Sequence, residues 1–223
     1  MSNTAFLVQG RAVLLDMDGT LVDSTAVVEE LWIEFAHEFG LDPDEILRFS
    51  HGRPSAATYK HFVPHLSAEE RKRLEVARTE QEMIQLDGVV EIPGARAFIE
   101  QLRALQVPHA LVTSAPLELA RVRMAAAQVA VPDVVIPADQ ITKGKPDPQG
   151  YLKAAAALNV APEDTVVFED AAAGIAAGEA AGAQVVIVGN TLPYEETAHP
   201  RIADYRNLQV RRSGDGTVNI EAA

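Results

Sequence analysis

Two aspartates that flank a single residue, Asp16 and Asp18, follow a short apolar run at residues 13–15 and precede a Gly-Thr pair. The run predicts a buried strand that presents a carboxylate at its C-terminal end. A carboxylate such as that of Asp16 can act as a covalent nucleophile toward phosphorus. Asp18 could protonate a leaving oxygen and later activate a water molecule. The pair therefore indicates nucleophilic and acid–base chemistry at one site.

Polar residues also follow the later apolar runs, and ligands of open α/β sheets bind outside the carboxyl ends of the strands. The acidic pair Glu169 and Asp170 follows one run, and Asp170 could share a divalent metal with Asp16. Carboxylate oxygens suit Mg²⁺, which takes few protein ligands and keeps several waters. These positions predict a magnesium site at the sheet edge.

A hydroxyl and a cation complete the predicted constellation. Thr113, with Ser114 beside it, follows the apolar run 110–112, and Lys145 lies in a later loop. The Thr113 hydroxyl could bind phosphate oxygens, and the lysine could neutralise both the phosphate and the attacking carboxylate. An isolated aspartate after a strand is often only a turn former. The conjunction of these groups, in order along the chain, favours a phosphoryl-transfer site.

The elements that must position these residues alternate between helical stretches and short β-branched runs. This alternation is typical of βα units around a parallel sheet, so we predict an α/β fold. We expect a hairpin at 208–220. The predicted strands are near 13–15, 110–112, 134–136, 165–168 and 185–188, and the predicted helices are near 95–105, 118–127, 149–158 and 172–181.

The segment between residues 42 and 90 has a different character, with dense charge and no strand-like run. We predict a small helical module there, with helices starting near Pro43 and near Ser67, where residues 67–70 have the form of a capping box. A helix over 24–39 precedes it and ends at Gly40. Trp32 and Phe35 on that helix are expected to pack rather than to stack on a ligand.

Composition limits the possible partners. The chain has 223 residues, a formal net charge of −13 and no cysteine. Nucleic acid and anionic membranes are poor partners for so acidic a chain, and a disulfide or thiolate site is excluded. No stretch approaches the length of a membrane span and no signal peptide is evident, so we expect a cytoplasmic protein. We take a monomer as the default.

The motifs resemble those of the haloacid dehalogenase-like superfamily. Residues 16–20 (DMDGT) are similar to its first motif, and residues 111–114 (LVTS) to its second. Residues 144–147 (GKPD) resemble its third motif, and residues 168–171 (FEDA) its fourth. The resemblance implies a Rossmann-like parallel core, with helices on both faces, over 1–22 and 91–223. It also implies an inserted helical cap over 23–90.

The resemblance also implies roles for individual residues. Asp16 would be the nucleophile, Asp18 the general acid/base, Thr113 a phosphate ligand and Lys145 the group that stabilises charge. The metal would be held by Asp16, Asp170 and the backbone carbonyl of Asp18, with Glu169 a weaker contact to the metal or to its water. Residues expected to contact the substrate are Thr20, Ser114, and the cap residues His51 and Arg53.

Within the superfamily, the chain looks most like the sugar- and polyol-phosphate phosphatases, the group with 2-deoxyglucose-6-phosphate and glycerol phosphatases. Residues 50–53, 91–94, 112–114 and 169–171 carry that likeness, whereas Ala115 stands where the group commonly has glycine. Asp18 argues against the dehalogenase branch, which lacks this second aspartate. The expected activity is Mg²⁺-dependent hydrolysis of a small sugar or polyol phosphate through a phospho-aspartate.

Three alternatives stay open at this point. A phosphosugar mutase of the β-phosphoglucomutase type would use the same core motifs. A receiver-like phospho-acceptor domain would share the aspartate, metal, hydroxyl and lysine, but it would be shorter and would lack the cap and Asp18. A binding protein on an inactive enzyme scaffold is disfavoured by the intact set of acidic residues and Lys145.

Overall fold

The structure is a computed structural model, and it describes residues 6–50, 53–190 and 199–222. The chain divides into two compact units. The larger unit comprises Met1–Asp23 and Val90–Ala223, and the smaller comprises Ser24–Val89.

Strands occur in the larger unit, and helices occur in both. The strands are β1 (Phe6–Gly10), β2 (Ala12–Leu15), β3 (Val22–Asp23), β4 (Val90–Glu91), β5 (His109–Val112), β6 (Val134–Ile136), β7 (Thr165–Glu169), β8 (Gln184–Val188), β9 (Arg201–Ile202), β10 (Leu208–Arg212) and β11 (Val218–Ala222). The helices are α1 (Thr25–Phe39), α2 (Pro43–Ser50), α3 (Ser55–Phe62), α4 (Ala68–Ile84), α5 (Ala95–Ala104), α6 (Leu117–Ala126), α7 (Gln149–Ala157) and α8 (Ala172–Ala180).

The central sheet of the larger unit has six strands in the order β6-β5-β2-β7-β8-β9. Each neighbouring pair in it is parallel, and Leu15 of β2 lies level with Leu111 of β5 and Phe168 of β7. Buried aliphatic residues fill β2, as expected for a central parallel strand with both faces covered. The predicted α/β fold is confirmed, and five of these six strands were predicted from sequence.

The predicted hairpin near the C-terminus is also confirmed. β10 and β11 pair antiparallel, with Val210 opposite Ile220, and β1 adds a third strand along the other edge of β11. The sequence analysis did not predict β1, β3, β4 or β9. Three of these strands, β3, β4 and β9, are only two residues long, too short for a period-two pattern to show.

The smaller unit is helical and has an aromatic core. Trp32 and Phe35 are almost fully buried and contact Tyr59 at centroid distances of 5.3 and 5.1 Å. Their predicted packing role is confirmed, as is the end of α1 at Gly40, which has a left-handed φ of 65°. Ser67 and Glu70 form the predicted capping box at the start of α4. Helix α3 was missed by the sequence analysis.

Three glycines spaced four residues apart near α8 differ in role. A Cβ on Gly174 would lie 1.6 Å from Oε1 of Glu169, and one on Gly178 would lie 3.0 Å from a methyl group of Val185. Gly182 instead follows the helix with a φ of +82°. The first two permit close helix–sheet packing, and the third supplies the left-handed residue after the helix end.

Candidate active site

The carboxyl ends of three adjacent strands bring the predicted residues of the larger unit together. Asp16 follows β2 and its N–H donates to the carbonyl of Phe168 in β7, at 3.1 Å. Thr113 follows β5, and Glu169 is the last residue of β7. This convergence follows from the strand order β5-β2-β7, because parallel strands end at the same sheet edge.

Lys145 joins two of the carboxylates. Its Nζ donates a very short hydrogen bond to Oδ1 of Asp16 and another to Oε1 of Glu169, at 2.6 Å. A third bond of 3.2 Å runs from Nζ to the backbone carbonyl of Val112. The lysine side chain is only 13% exposed, so its three donors serve these three acceptors in a largely water-free setting.

Glu169 receives four hydrogen bonds. Tyr151 donates its hydroxyl to Oε1 at 3.0 Å, alongside Lys145. Oε2 accepts the backbone N–H groups of Asp170 and Ala171 at 2.9 and 3.1 Å. Two donors to each oxygen fill the lone-pair sites of the carboxylate. This arrangement suits Glu169 to holding Lys145 and the β7 turn in place.

Asp170 completes an acidic cluster. Asp16, Glu169 and Asp170 each offer a carboxylate oxygen, and these three atoms lie within 4.8 Å of one another. Oδ1 of Asp170 accepts the hydroxyl of Thr20 at 3.2 Å. Gly19 has a φ of +80°, and a Cβ there would lie 2.1 Å from Oδ2 of Asp170. The glycine therefore leaves the space in which this carboxylate sits.

The pKa values of the cluster reflect crowded, buried charge. Burial raises the pKa of Asp170 to about 7, with a further contribution from Glu169. Burial and then Glu169 also raise the pKa of Asp16 well above its usual range, although Lys145 opposes them. The single positive charge of Lys145 thus does not neutralise the three carboxylates. A divalent cation would supply the missing charge, and oxygen donors suit Mg²⁺.

Asp18 lies in a tight turn and contacts a buried arginine. Within this turn the carbonyl of Met17 accepts the N–H groups of Thr20, Leu21 and Val22 at 3.2, 2.8 and 2.9 Å. Oδ1 of Asp18 accepts Nη1 of Arg123 at 2.9 Å. The side chain of Asp18 is 34% exposed, whereas that of Arg123 is 6% exposed. Asp18 thus combines solvent access with a fixed ionic partner.

Thr113 is buried and its neighbour Ser114 is exposed. The Thr113 hydroxyl oxygen accepts the N–H of Ala115 at 3.0 Å. This bond uses a lone pair and leaves the hydroxyl proton to be donated elsewhere. The predicted phosphate-binding hydroxyl therefore has an orientation set by its own turn.

The two predicted cap residues belong to the smaller unit. Arg53 is exposed, and its guanidinium lies over the ring of Phe49 with 4.2 Å to the centroid. His51 lies outside the described residues. Both roles stay predictions.

Sequence reasoning missed two residues that contact the predicted site. Arg123 occupies an otherwise apolar face of α6, beside buried Leu119, Ala120 and Met124. A charged residue at such a position was the signal available in the sequence. Tyr151 is buried in α7, and nothing in the sequence distinguishes it from a residue of the core.

No helix in the described ranges combines the length and apolar character that a membrane crossing requires.

Comparison with known proteins supports the same reading of the motifs. Residues 11–182 match the haloacid dehalogenase-like hydrolases. Hexitol phosphatase A of Escherichia coli K12 is 39% identical over 179 residues, which cover 80% of this chain and 82% of that protein. 2-Deoxyglucose-6-phosphate phosphatase 1 of Saccharomyces cerevisiae is 32% identical over 201 residues, which cover 82% of this chain and 81% of that protein.

A solved structure gives the same fold. The crystal structure of a HAD hydrolase of family IA, variant 3, from Entamoeba histolytica has a TM-score of 0.78 and 24% sequence identity, covering 89% of this chain and 95% of that one. The likeness in sequence and the likeness in fold agree with the four motifs and with the parallel sheet. The chain therefore belongs to the haloacid dehalogenase-like hydrolases.

Proposed function

We propose that this chain is a Mg²⁺-dependent phosphatase that hydrolyses small sugar or polyol phosphates through a phospho-aspartate on Asp16. The observation that carries the proposal is the hydrogen bond from Lys145 to Asp16 beside the carboxylates of Glu169 and Asp170. Relatives with 39% and 32% identity are named for phosphatase activity on hexitol and 2-deoxyglucose phosphates. They favour hydrolysis over the mutase, receiver and binding-protein alternatives.

The metal would be held by Asp16 and Asp170 and by the backbone carbonyl of Asp18. Glu169 would act more weakly, because four donors already occupy its oxygens. When bound, Mg²⁺ neutralises charge on the carboxylates and on the phosphate.

The first half-reaction moves the phosphoryl group to the protein. An oxygen of Asp16 forms a bond to phosphorus as the bond from phosphorus to the sugar oxygen breaks. Asp18 gives its proton to that sugar oxygen, which leaves as an alcohol. Lys145 holds the attacking carboxylate and balances its charge, and Thr113 donates its hydroxyl proton to a phosphate oxygen.

The second half-reaction restores the protein. Asp18, now ionised, takes a proton from a water molecule whose oxygen bonds to phosphorus as the bond to Asp16 breaks. The products are inorganic phosphate and free Asp16. The partial exposure of Asp18 agrees with a group that must meet both the sugar oxygen and water.

The smaller unit would supply substrate selectivity as a cap. We propose that Arg53 and His51 contact the hydroxyls of the sugar or polyol and that Ser114 and Thr20 lie near the phosphate. Thr20 also supports Asp170 through its hydrogen bond of 3.2 Å. The cytoplasmic location and the monomeric state stay predictions from the sequence.

One experiment tests the proposed reaction. We expect purified protein with Mg²⁺ to release phosphate from members of a panel of hexose, 2-deoxyhexose, pentitol and glycerol phosphates, and EDTA to stop the release reversibly. Asp16→Asn should abolish turnover without loss of fold, because the amide is nearly isosteric but a poor nucleophile. Phosphate release and circular dichroism are the measurements.

The matched control is Asp215→Asn, an exposed aspartate in the β10–β11 turn, which should keep full activity. Substantial turnover by Asp16→Asn would end the covalent mechanism. Isomerisation of a hexose 1-phosphate that outpaces phosphate release would favour a mutase.

A further inference from the structure

Arg123 is a buried arginine whose guanidinium pairs with Asp18. It lies in the last turn of α6, its side chain is 6% exposed, and its Nη1 donates to Oδ1 of Asp18 at 2.9 Å. Arg121, two residues earlier, is 57% exposed and pairs with Glu118 on the same helix. The helix thus carries one arginine on its solvent side and one that reaches across 105 residues of sequence to Asp18.

Burying a guanidinium is unfavourable unless its charge is paired and its donors are used. A site that needed only packing between Leu119 and Met124 would be filled more favourably by an aliphatic residue. The buried arginine is therefore best explained by what it contacts. The contact is a charge-assisted hydrogen bond, which constrains both distance and direction.

The hydrogen bond from Arg123 adds a restraint that the turn at residues 17–22 does not supply. Three hydrogen bonds to the carbonyl of Met17 fix the backbone around Asp18, but they leave its side-chain torsions free. The bond from Arg123 limits those torsions. Helix α6 begins four residues after Thr113, so the segment that carries the predicted phosphate-binding hydroxyl also leads to the group that holds Asp18.

We propose that Arg123 is a positioning residue that orients the carboxylate of Asp18 for proton transfer to the leaving oxygen. The inference rests on the proposed function, in which Asp18 is the general acid/base. Arg123 touches neither phosphorus nor the leaving group in this scheme, and it acts through Asp18.

The test compares two leaving groups. The leaving group of 2-deoxyglucose 6-phosphate is a sugar alkoxide that needs a proton. The leaving group of 4-nitrophenyl phosphate is 4-nitrophenolate, which is stable without one. We expect Arg123→Met to lower kcat/KM for the sugar phosphate by about 10- to 100-fold and for the aryl phosphate by less than about threefold. A purely structural role would lower both values alike.

Four further variants sharpen the test. Asp18→Asn should show the same selective loss, and adding Arg123→Met to it should cause no further loss, since both changes remove one function. Arg123→Lys should restore most of the sugar-phosphate activity, because it keeps a cation near Asp18. Arg121→Met, the control on the same helix, should match the unaltered protein. If Arg123→Met does not fold, Arg123→Gln takes its place.

The outcomes separate the two proposals. Selective loss in Asp18→Asn with equal losses for both substrates in Arg123→Met would overturn the role of Arg123 and leave the proposed function standing. Equal losses for both substrates in Asp18→Asn would overturn the role of Asp18 and, with it, that of Arg123. Additive losses in the double variant would also contradict positioning through Asp18.

Discussion

Lys145 shows how one side chain sets the character of the site. Burial alone lowers the pKa of this ammonium group, but the neighbouring carboxylates of Asp16 and Glu169 outweigh that effect, and its pKa is raised well above the usual value. The lysine therefore stays charged at any physiological pH. Its charge lowers the pKa of Asp16, although burial and Glu169 still hold that pKa well above its usual range, so a bound cation would be needed to ionise this nucleophile fully.

Replacing this charge should be costly. We expect Lys145→Gln to lower kcat by at least about 100-fold, because the amide cannot neutralise Asp16 or the transferring phosphoryl group. Steady-state phosphate release measures the effect. Lys143→Gln is the control, since Lys143 is 72% exposed and pairs with Asp147. Similar activity in both variants would show that Lys145 has no electrostatic role in turnover.

Among the helices, α8 illustrates how packing distance serves the site. It follows β7 directly, and Gly174 allows its backbone to lie against the carboxylate of Glu169. Glycine lowers helix stability by roughly 1 kcal/mol relative to alanine. In return, Gly174 lets the backbone of α8 lie close to the Glu169 carboxylate. This contact holds Glu169 where it accepts hydrogen bonds from Lys145 and Tyr151.

Gly174→Ala tests this reading of α8. The added methyl group would lie 1.6 Å from Oε1 of Glu169, so either the helix or the carboxylate must move. We expect a lower melting temperature and at least a tenfold loss of kcat, despite the better helix propensity of alanine. Thermal unfolding and phosphate release are the measurements.

Gly144→Ala provides a comparison, because no atom beyond its chain neighbours lies within 4 Å of the position a Cβ would take there. It should change stability little. A Gly174→Ala protein that is more stable and fully active would show that the close contact with Glu169 is unimportant.

Across the whole molecule, the long-range order of the sheet decides which charges meet. The chain visits the central strands in the order β2, β5, β6, β7 and β8, yet β2 lies between β5 and β7. Carboxylates at positions 16, 169 and 170 thereby become neighbours. In a chain of net charge −13, this adds local repulsion to an already acidic molecule.

This repulsion should make the stability of the metal-free protein depend on pH. Unfolded aspartates titrate near pH 4, whereas the pKa of Asp170 in the folded protein is raised to about 7. Between these values the folded protein binds more protons than the unfolded chain. The free energy of unfolding should therefore fall as pH rises from about 4 to about 7, by up to about 1.4 kcal/mol per pH unit for this group.

Urea unfolding in EDTA at pH 5 and pH 7.5 measures the difference. Asp170→Asn should reduce it, because the amide does not titrate. Mg²⁺ should stabilise the unaltered protein more at pH 7.5 than at pH 5, since protons and metal compete for the same oxygens. A free energy of unfolding that rises between the two pH values, equally in both proteins, would contradict the assignment.

The sequence by itself determined the α/β class and the family. Apolar runs of β-branched residues mark buried parallel strands, three of the four motifs stand at strand ends, and the third lies in the loop between β6 and α7. These signals are local, so they can be recognised without knowledge of contacts. The two-residue strands are too short for a pattern to show, whereas α3 is as long as α2 but has a much less distinct apolar face.

Only the tertiary structure decided which side chains support the site. Arg123 and Tyr151 contact Asp18 and Glu169 across 105 and 18 residues, and no local pattern encodes a contact at such separation. It also decided that the oxygens of Glu169 are taken up by Lys145, Tyr151 and two backbone N–H groups. Chain composition fixes which groups exist, but their hydrogen bonds depend on the directions in which the folded backbone presents them.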